Sequence, residues 1–249
     1  MSENPETKAL PRDAANWAAK VGRLTVGAGR SEGINVAGRR LNGPIQGFGK
    51  MWRKTYWFEA SPPIDPRTVI ATWKAHFGDF WPKASRFDGP LTGLSPGDVA
   101  LLDVRFGGGV RLSTGVFVLY ADDRSFTLMT PQGHMFAGWI TFSADSAADR
   151  AATRVQAQVL MRANDPLYEL AMTFGGHRKE DEFWVATLTS LARRLGAGPV
   201  AVRRRTVCID RRRQWGNAGR VWQNSMVRTM LHSARGPFAH RRQPKPGVR

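Results

Sequence analysis

The sequence predicts an α+β domain in which an antiparallel sheet curls around a long C-proximal helix. Three features predict it: an aromatic strand followed directly by an amphipathic helix, a run of further strand-like stretches separated by turn signals, and a helical stretch near 178–195 with one apolar stripe. The 249 residues, 42% apolar and 23% charged, suit one large domain or one domain with appendages, and exclude a collagenous or wholly disordered chain.

Lys54 to Ala60 (KTYWFEA) is dense in aromatic residues and stops at Ser61-Pro62-Pro63, the pattern of a strand ended by proline. Asp65 then serves as N-cap with Pro66 at the first helical position. Val69, Ile70, Trp73, Phe77 and Phe80 recur at helical spacing until Pro82, so this helix has an apolar face that must be covered. Beyond a Pro- and Gly-rich link, Asp98 to Phe106, Leu112 to Tyr120, Ser125 to Thr130, Phe136 to Ala144 and Thr153 to Ala163 read as strands of an antiparallel meander. The last strand alternates cleanly. Val155, Ala157, Val159 and Met161 form its buried side, and Gln156, Gln158, Leu160 and Arg162 its solvated side.

Asp165 and Pro166 open a short helix to Leu170. After Gly175-Gly176 a longer helix runs from about Arg178 to Leu195, with Phe183, Trp184, Thr187, Leu188, Leu191 and Leu195 as its stripe. Glu180, Asp181 and Glu182 in its first turn, and Arg193 and Arg194 in its last, are placed as the helix dipole favours, and Gly196 closes it.

The flanks differ. Residues 1–50 are an irregular Gly- and Arg-rich segment, 51–198 hold the strand and helix series, and 199–249 form an Arg-rich appendage, partly helical with a disordered end. The chain carries 37 Lys plus Arg against 20 Asp plus Glu, a net +17, and 199–249 alone hold 13 basic residues and one acid, Asp210. Such charge points to an anionic partner or surface. Cys208 is the single cysteine, which excludes an internal disulfide and a thiolate metal cage. The first residues contain no apolar signal region and no long uninterrupted apolar run follows, so a cytoplasmic protein with no transmembrane segment is expected.

The order of elements, together with MTPQGHMFAGWITF (Met129 to Phe142) and RANDPLYELAMTFGGHRKEDEFW (Arg162 to Trp184), resembles the START-like, polyketide-cyclase-like superfamily often abbreviated SRPBCC. Within it, the two stretches are similar to a bacterial branch with no established substrate. The resemblance spans roughly 34–198. It implies a helix-grip fold with a cavity between sheet and terminal helix, and no particular reaction.

Such a cavity suits a small hydrophobic molecule, lipid-like or polyketide-like, because concave apolar walls release water while a few polar groups fix orientation. Its candidate walls are Trp73 and Phe77 of the first helix, Phe117, Met129, Trp139 and Met161 of the sheet, and Tyr168, Met172, Phe183 and Trp184 of the last helices. Each also reads as plain core. A second reading is an enzyme for cyclisation, dehydration or hydrolysis. In it His134, after Gly133 in a hairpin, or His177, at the entry to the long helix, acts as general base beside Asp165, Glu169 or Asp181. Against that, His134 can simply bond its turn and His177 can be a solvated cap residue. No HExxH, GxSxG or paired His/Cys spacing exists, so neither metal nor cofactor is expected. Gly107-Gly108-Gly109 reads as a hairpin turn, and Gly27, Gly29 and Gly33 make no nucleotide-binding fingerprint.

A third reading concerns the appendage. Arg203, Arg204 and Arg205, with Arg211, Arg212 and Arg213, flank Thr206 to Ile209 and suit nucleic acid or an anionic surface, where Trp215 and Trp222 stack or insert. Alternatively Trp215, Ala218, Val221, Trp222, Ser225, Met226 and Thr229 form a helical stripe docked on the domain. The number of copies in the assembly is left open.

Overall fold

The computed structural model describes residues 14–26, 33–90, 93–105, 111–146 and 151–231. Its strands are β1 (Met51–Ala60), β2 (Ser85–Asp88), β3 (Val99–Arg105), β4 (Arg111–Ala121), β5 (Ser125–Met129), β6 (Phe136–Ser146), β7 (Thr153–Ala163) and β8 (Arg203–Asp210). All pair antiparallel in one sheet, ordered β2-β3-β4-β5-β6-β7-β1-β8. Three α-helices, α1 (Pro66–Ala75), α2 (Pro166–Ala171) and α3 (His177–Arg194), lie with the sheet's concave side.

Alternation along the strands sets the two faces. On β1, Lys54, Tyr56, Phe58 and Ala60 are buried while Arg53 and Glu59 are exposed. On β7, Val155, Ala157, Val159, Met161 and Ala163 are buried opposite them. Across this concave side α3 buries Thr187, Leu188, Leu191 and Ala192. Its end is fixed by Gly196 in the left-handed region (φ 68°), with Ala197 N–H donating to the Ala192 carbonyl and Gly196 N–H to that of Arg193.

Asp65 caps α1, accepting from the Thr68 N–H at 3.2 Å. The expected helix through Phe80 stops at Ala75; His76 leaves helical geometry, and Phe77–Phe80 forms a 3-10 turn. A side chain at Gly78 would press on the Phe87 carbonyl, so this tight turn is what lets β2 sit beside it. Phe77 and Phe80 remain buried.

Sequence reasoning missed two strands. β2 has four residues, too short for a period to show. β8 was read as part of the appendage, yet it pairs with β1 from Met51↔Asp210 to Trp57↔Arg203 and forms one edge of the sheet. Charged side chains are what a strand needs to live at an edge, which is why a basic run can be a strand.

The described parts of 14–50 contain short 3-10 turns and cover the convex face, where Leu24, Val36, Leu101 and Phe117 form a second, smaller core. After β8 the chain crosses one end of the sheet as a 3-10 stretch (Trp215–Gln223), breaks at Asn224 and becomes helical over 225–231. The expected disordered end and the Gly107-Gly108-Gly109 turn lie outside the described residues. No helix among the described residues is long and apolar enough to cross a membrane.

Candidate functional site

Lys54 is the residue on which the site is built. Its place on β1 between Trp52 and Tyr56 turns it to the concave side, and the first turn of α3 closes over it. Its side chain is 1% exposed, and its Nζ lies 2.8 Å from Glu180 Oε2 and 2.9 Å from Asp181 Oδ1, and donates to the His177 carbonyl at 3.3 Å. Tyr56 OH donates to Asp181 Oδ1 at 2.6 Å. From β8, directly across from Tyr56, Arg204 reaches Asp181 Oδ2 at 2.7 Å. The first-turn acids of α3 therefore do more than complement its dipole: two turn inward to a buried ammonium, and Glu182 pairs outward with Arg178 at 3.5 Å.

The two inward carboxylates differ in kind. Glu180 is enclosed, its Oε1 has no hydrogen-bond partner, and burial pushes its acid form up to about 7 although Lys54 pulls the other way. For Asp181, burial is outweighed by the hydrogen bonds from Tyr56 and Lys54 and by the charges of Lys54 and Arg204, so it is held below the usual range. Burial and the neighbouring Glu180 push the Tyr56 phenol far up, which keeps it a donor. Hence the cluster holds one firm anion between two cations, Lys54 and Arg204, and one carboxyl poised near neutrality.

His177 adjoins this cluster. Its ring sits edge-on to Trp52 with centroids 5.0 Å apart, its Nδ1 is buried without a partner, and burial together with Lys54 holds it down to about 4. It is therefore neutral at ordinary pH, not the solvated cap residue weighed from sequence. His134 lies in the β5–β6 turn, where its Nδ1 accepts from the Phe136 N–H at 3.0 Å; burial holds it down to about 4 as well. Its geometry is that of a turn-bonding residue. No contact brings His134 to Asp165, Glu169 or Asp181 among the hydrogen bonds of the described residues.

The candidate walls divide. Register places Phe117, Met129 and Trp139 side by side on the convex face (Phe117↔Met129, Met129↔Trp139, Trp139↔Leu160), so they line no space between sheet and α3. Phe117 belongs to the second core, and Met129 and Trp139 lie under Gly43. The sequence reading lacked the register, and a shift of one residue exchanges the faces. Trp73 and Phe77 are on the concave side but are packed into an aromatic cluster with Phe126 and Phe142, with ring centroids 4.9–5.9 Å apart. Trp184 meets Phe142 at 5.6 Å and Phe183 meets Trp81 at 5.0 Å, extending the same cluster. These rings fill the α1 side of the interior. Met161, Tyr168 and Met172 remain on the concave side, buried, with Met161 across from Trp52 in register. An open groove of about 490 Å³ lies elsewhere, where Thr68, Thr72 and His76 face Arg194 and Leu195, and it contains none of the candidate walls.

The six arginines also divide. Arg204 is held by Asp181, Arg213 by Glu169 at 3.1 Å, and Arg212 lies 3.7 Å from Asp210. Arg203 and Arg205 are exposed, across from Trp57 and Thr55, and Arg211 is exposed beyond the strand.

Sequence reasoning missed a buried latch at the same end. Asp165 caps α2 through Leu167 and Tyr168 N–H and accepts from Asn224 Nδ2 at 2.9 Å; Asn224 in turn caps the 225–231 helix through Met226 and Val227 N–H. Asn164 accepts from Asn42, which accepts from Arg220 at 2.8 Å. Arg162 is buried, donating to the carbonyls of Gly49 and Arg212 and to Asp210. The expected docking of 215–229 thus runs through amides, while Trp215 and Trp222 are 72% and 85% exposed. Asn164-Asp165-Pro166 is the available signal: sequence reading gives Asp165 a helix-cap role and a place beside a histidine, and the contact it makes with Asn224 is neither.

No protein-family profile and no curated protein matches the chain. Among solved structures, it is similar to Ara h 8.0201 at 12% identity and TM-score 0.41, over 59% of this chain and 99% of that one. It is similar to the di-domain ARO/CYC StfQ from the steffimycin biosynthetic pathway at 10% identity and TM-score 0.44, over 60% of this chain and 52% of that one. A third, ginseng major latex-like protein 151 from Panax ginseng, has 12% identity and TM-score 0.40 over 59% of this chain and 98% of that one. Likenesses this distant carry nothing about ligand or reaction. By its own strand order, its curled antiparallel sheet and the long helix gripped within it, the chain has the START-like helix-grip fold.

Proposed function

We propose that the protein binds a small, mainly apolar molecule on the concave side of the sheet, with the molecule's polar end at Lys54, Glu180 and His177. The observation that supports this is a carboxyl group enclosed between sheet and α3, with Glu180 Oε1 free of partners and the apolar Met161, Tyr168 and Met172 on the same side. A buried polar atom without a partner costs roughly 1–3 kcal/mol, a cost that a ligand hydrogen-bond donor removes. The rings packed around Trp73 and Phe142 confine such a molecule to the α2 end of the interior.

The test is native mass spectrometry of protein purified without detergent, with displacement of anilinonaphthalene sulfonate by a series of fatty acids and aromatic polyketides. The expected result is a stoichiometric adduct or saturable displacement that is weakened by Glu180→Gln. Absence of both ends the reading. A second reading makes Glu180 a general acid–base, since a carboxyl near 7 is matched to neutral pH. Chemical change of the bound molecule, lost in Glu180→Gln but kept in His134→Ala, separates it from simple binding.

A further inference from the structure

The α2 end of the molecule has a surface unlike the rest. Topology gathers there the loop before β1, the β5–β6 turn, the α2–α3 junction and the chain after β8. Contacts tie these segments together: Gln214 N–H donates to the Phe48 carbonyl at 2.7 Å, Asn217 to that of Gly47 at 3.0 Å, Arg213 to Glu169 on α2 at 3.1 Å, and Trp215 packs edge-on to Phe48. From them project Ile45, Leu167, Leu170, Phe174, Trp215 and Trp222, exposed by 76, 42, 56, 80, 72 and 85%. Isolated exposed apolar residues need no explanation, but this many large ones on adjoining segments do.

The backbone holds some of them outward. Between α2 and α3 the helix breaks at Phe174 (φ −94°, ψ 43°) and Gly175 (φ 104°), which thrusts Phe174 off the surface. Trp215 and Trp222 sit on a 3-10 stretch held from beneath by Asn217, Arg220 and Asn224; Trp215 touches Phe48 with one edge and leaves most of its ring outward, and Trp222 is more exposed still.

The charge there is one-sided. Arg178, Lys179, Arg211, Arg212 and Arg213 are exposed. The acids of the same segments are spent: Asp165 and Glu180 are buried, Asp181 is held by Lys54 and Arg204, Asp210 by Arg162, Glu169 by Arg213 and Glu182 by Arg178. Arg178, Arg212 and Arg213 are themselves partners of Glu182, Asp210 and Glu169, and Lys179 and Arg211 pair with no acid among the described residues, so cations remain in excess. Large apolar side chains interspersed with such an excess match the interface of an anionic bilayer, where rings enter the acyl boundary and ammonium and guanidinium groups meet phosphate.

We propose that this end docks on anionic lipid membranes, with Phe174, Trp215 and Trp222 inserting and Arg178, Lys179 and Arg211 contacting headgroups. The proposal rests on the surface alone and stands apart from what fills the interior. It is tested with the full chain by co-sedimentation with phosphatidylcholine vesicles, with and without phosphatidylglycerol. The expected result is binding that requires phosphatidylglycerol and weakens with salt. It weakens about fivefold for each of Arg178→Gln and Arg211→Gln, and about tenfold or more when Phe174, Trp215 and Trp222 are all changed to Ser. Circular dichroism is expected to be unchanged in the variants; because Trp215 also gives up its edge contact with Phe48, the Phe174 and Trp222 double change to Ser, expected to melt like the native protein, repeats the test without it. Binding that is lost with the arginines but unmoved by the triple change overturns insertion. So does failure to bind vesicles together with salt-sensitive binding to a single-stranded oligonucleotide, or with a dimer that the triple change dissociates; the surface is then a nucleic-acid or self-association face.

Discussion

Replacing Glu180 by Gln keeps its shape and removes its charge, and the effect on stability depends on pH in a calculable way. Burial raises this carboxyl from an ordinary 4.5 to about 7 in the folded protein. The folded state therefore holds the proton more tightly than the unfolded one, so the group's contribution is fully favourable below the unfolded value and is lost as pH rises through the folded one. At roughly 1.4 kcal/mol per unit, the full loss is about 3 kcal/mol above neutrality. Glu180→Gln is expected to match the native protein at about pH 4 and to exceed its stability by about 3 kcal/mol at about pH 8. Lys54 keeps Asp181 and the His177 carbonyl as partners in the variant. His134 and His177, both depressed from 6.5 to about 4, act oppositely: they favour the fold as pH rises through that window. Only the difference between variant and native protein isolates Glu180. Urea unfolding at several pH values measures it. A variant destabilised at pH 8, or a difference that does not change with pH, refutes the assignment of a strained buried carboxyl.

Lys54→Met leaves Glu180 and Asp181 facing each other with one fewer cation; a loss of about 3–5 kcal/mol by chemical denaturation is expected, and adding Glu180→Gln recovers a part that a double-mutant cycle reports. Asp165→Ala removes a helix cap and the acceptor of Asn224; limited proteolysis is expected to cut within 211–231 faster, with stability lowered by about 1–2 kcal/mol or more. Phe142→Ala opens a hole in the ring cluster and costs about 3–5 kcal/mol in urea unfolding. Trp139→Ala, on the half-covered convex face, costs much less, and equal losses would mean that the register is wrong.

What the sequence made legible depends on which interactions are local. Proline and aspartate punctuation placed the start of α1 and both ends of α2 within a residue, and the alternation of β7 named its buried side, because these signals lie within a few residues of what they describe; the end of α1 was missed by five residues because its apolar spacing runs on through the 3-10 turn. Which side of β4, β5 and β6 faces the helix is a matter of pairing, so Phe117 and Trp139 were assigned to the wrong face. Lys54 enters the sequence reading only as the first residue of an aromatic strand; its burial depends on the first turn of α3, more than 120 residues away, closing over its ammonium. The six arginines carried a true signal of charge, but two of them, Arg204 and Arg213, are committed to acids that no spacing rule connects to them.

The position of β1 also governs when the protein can assemble. Its neighbours are β7 and β8; Thr55 receives a hydrogen bond from Gln158, a separation of 103 residues, and β8 is further still. During synthesis β1 and α1 emerge before every other strand and must wait, with Trp52, Trp57 and Phe58 bare, until most of the chain has left the ribosome. Contacts this distant slow folding and expose strand edges meanwhile. A nascent chain halted before residue 203 lacks β8 and leaves the outer edge of β1 unpaired, the kind of open edge at which strands of separate chains join.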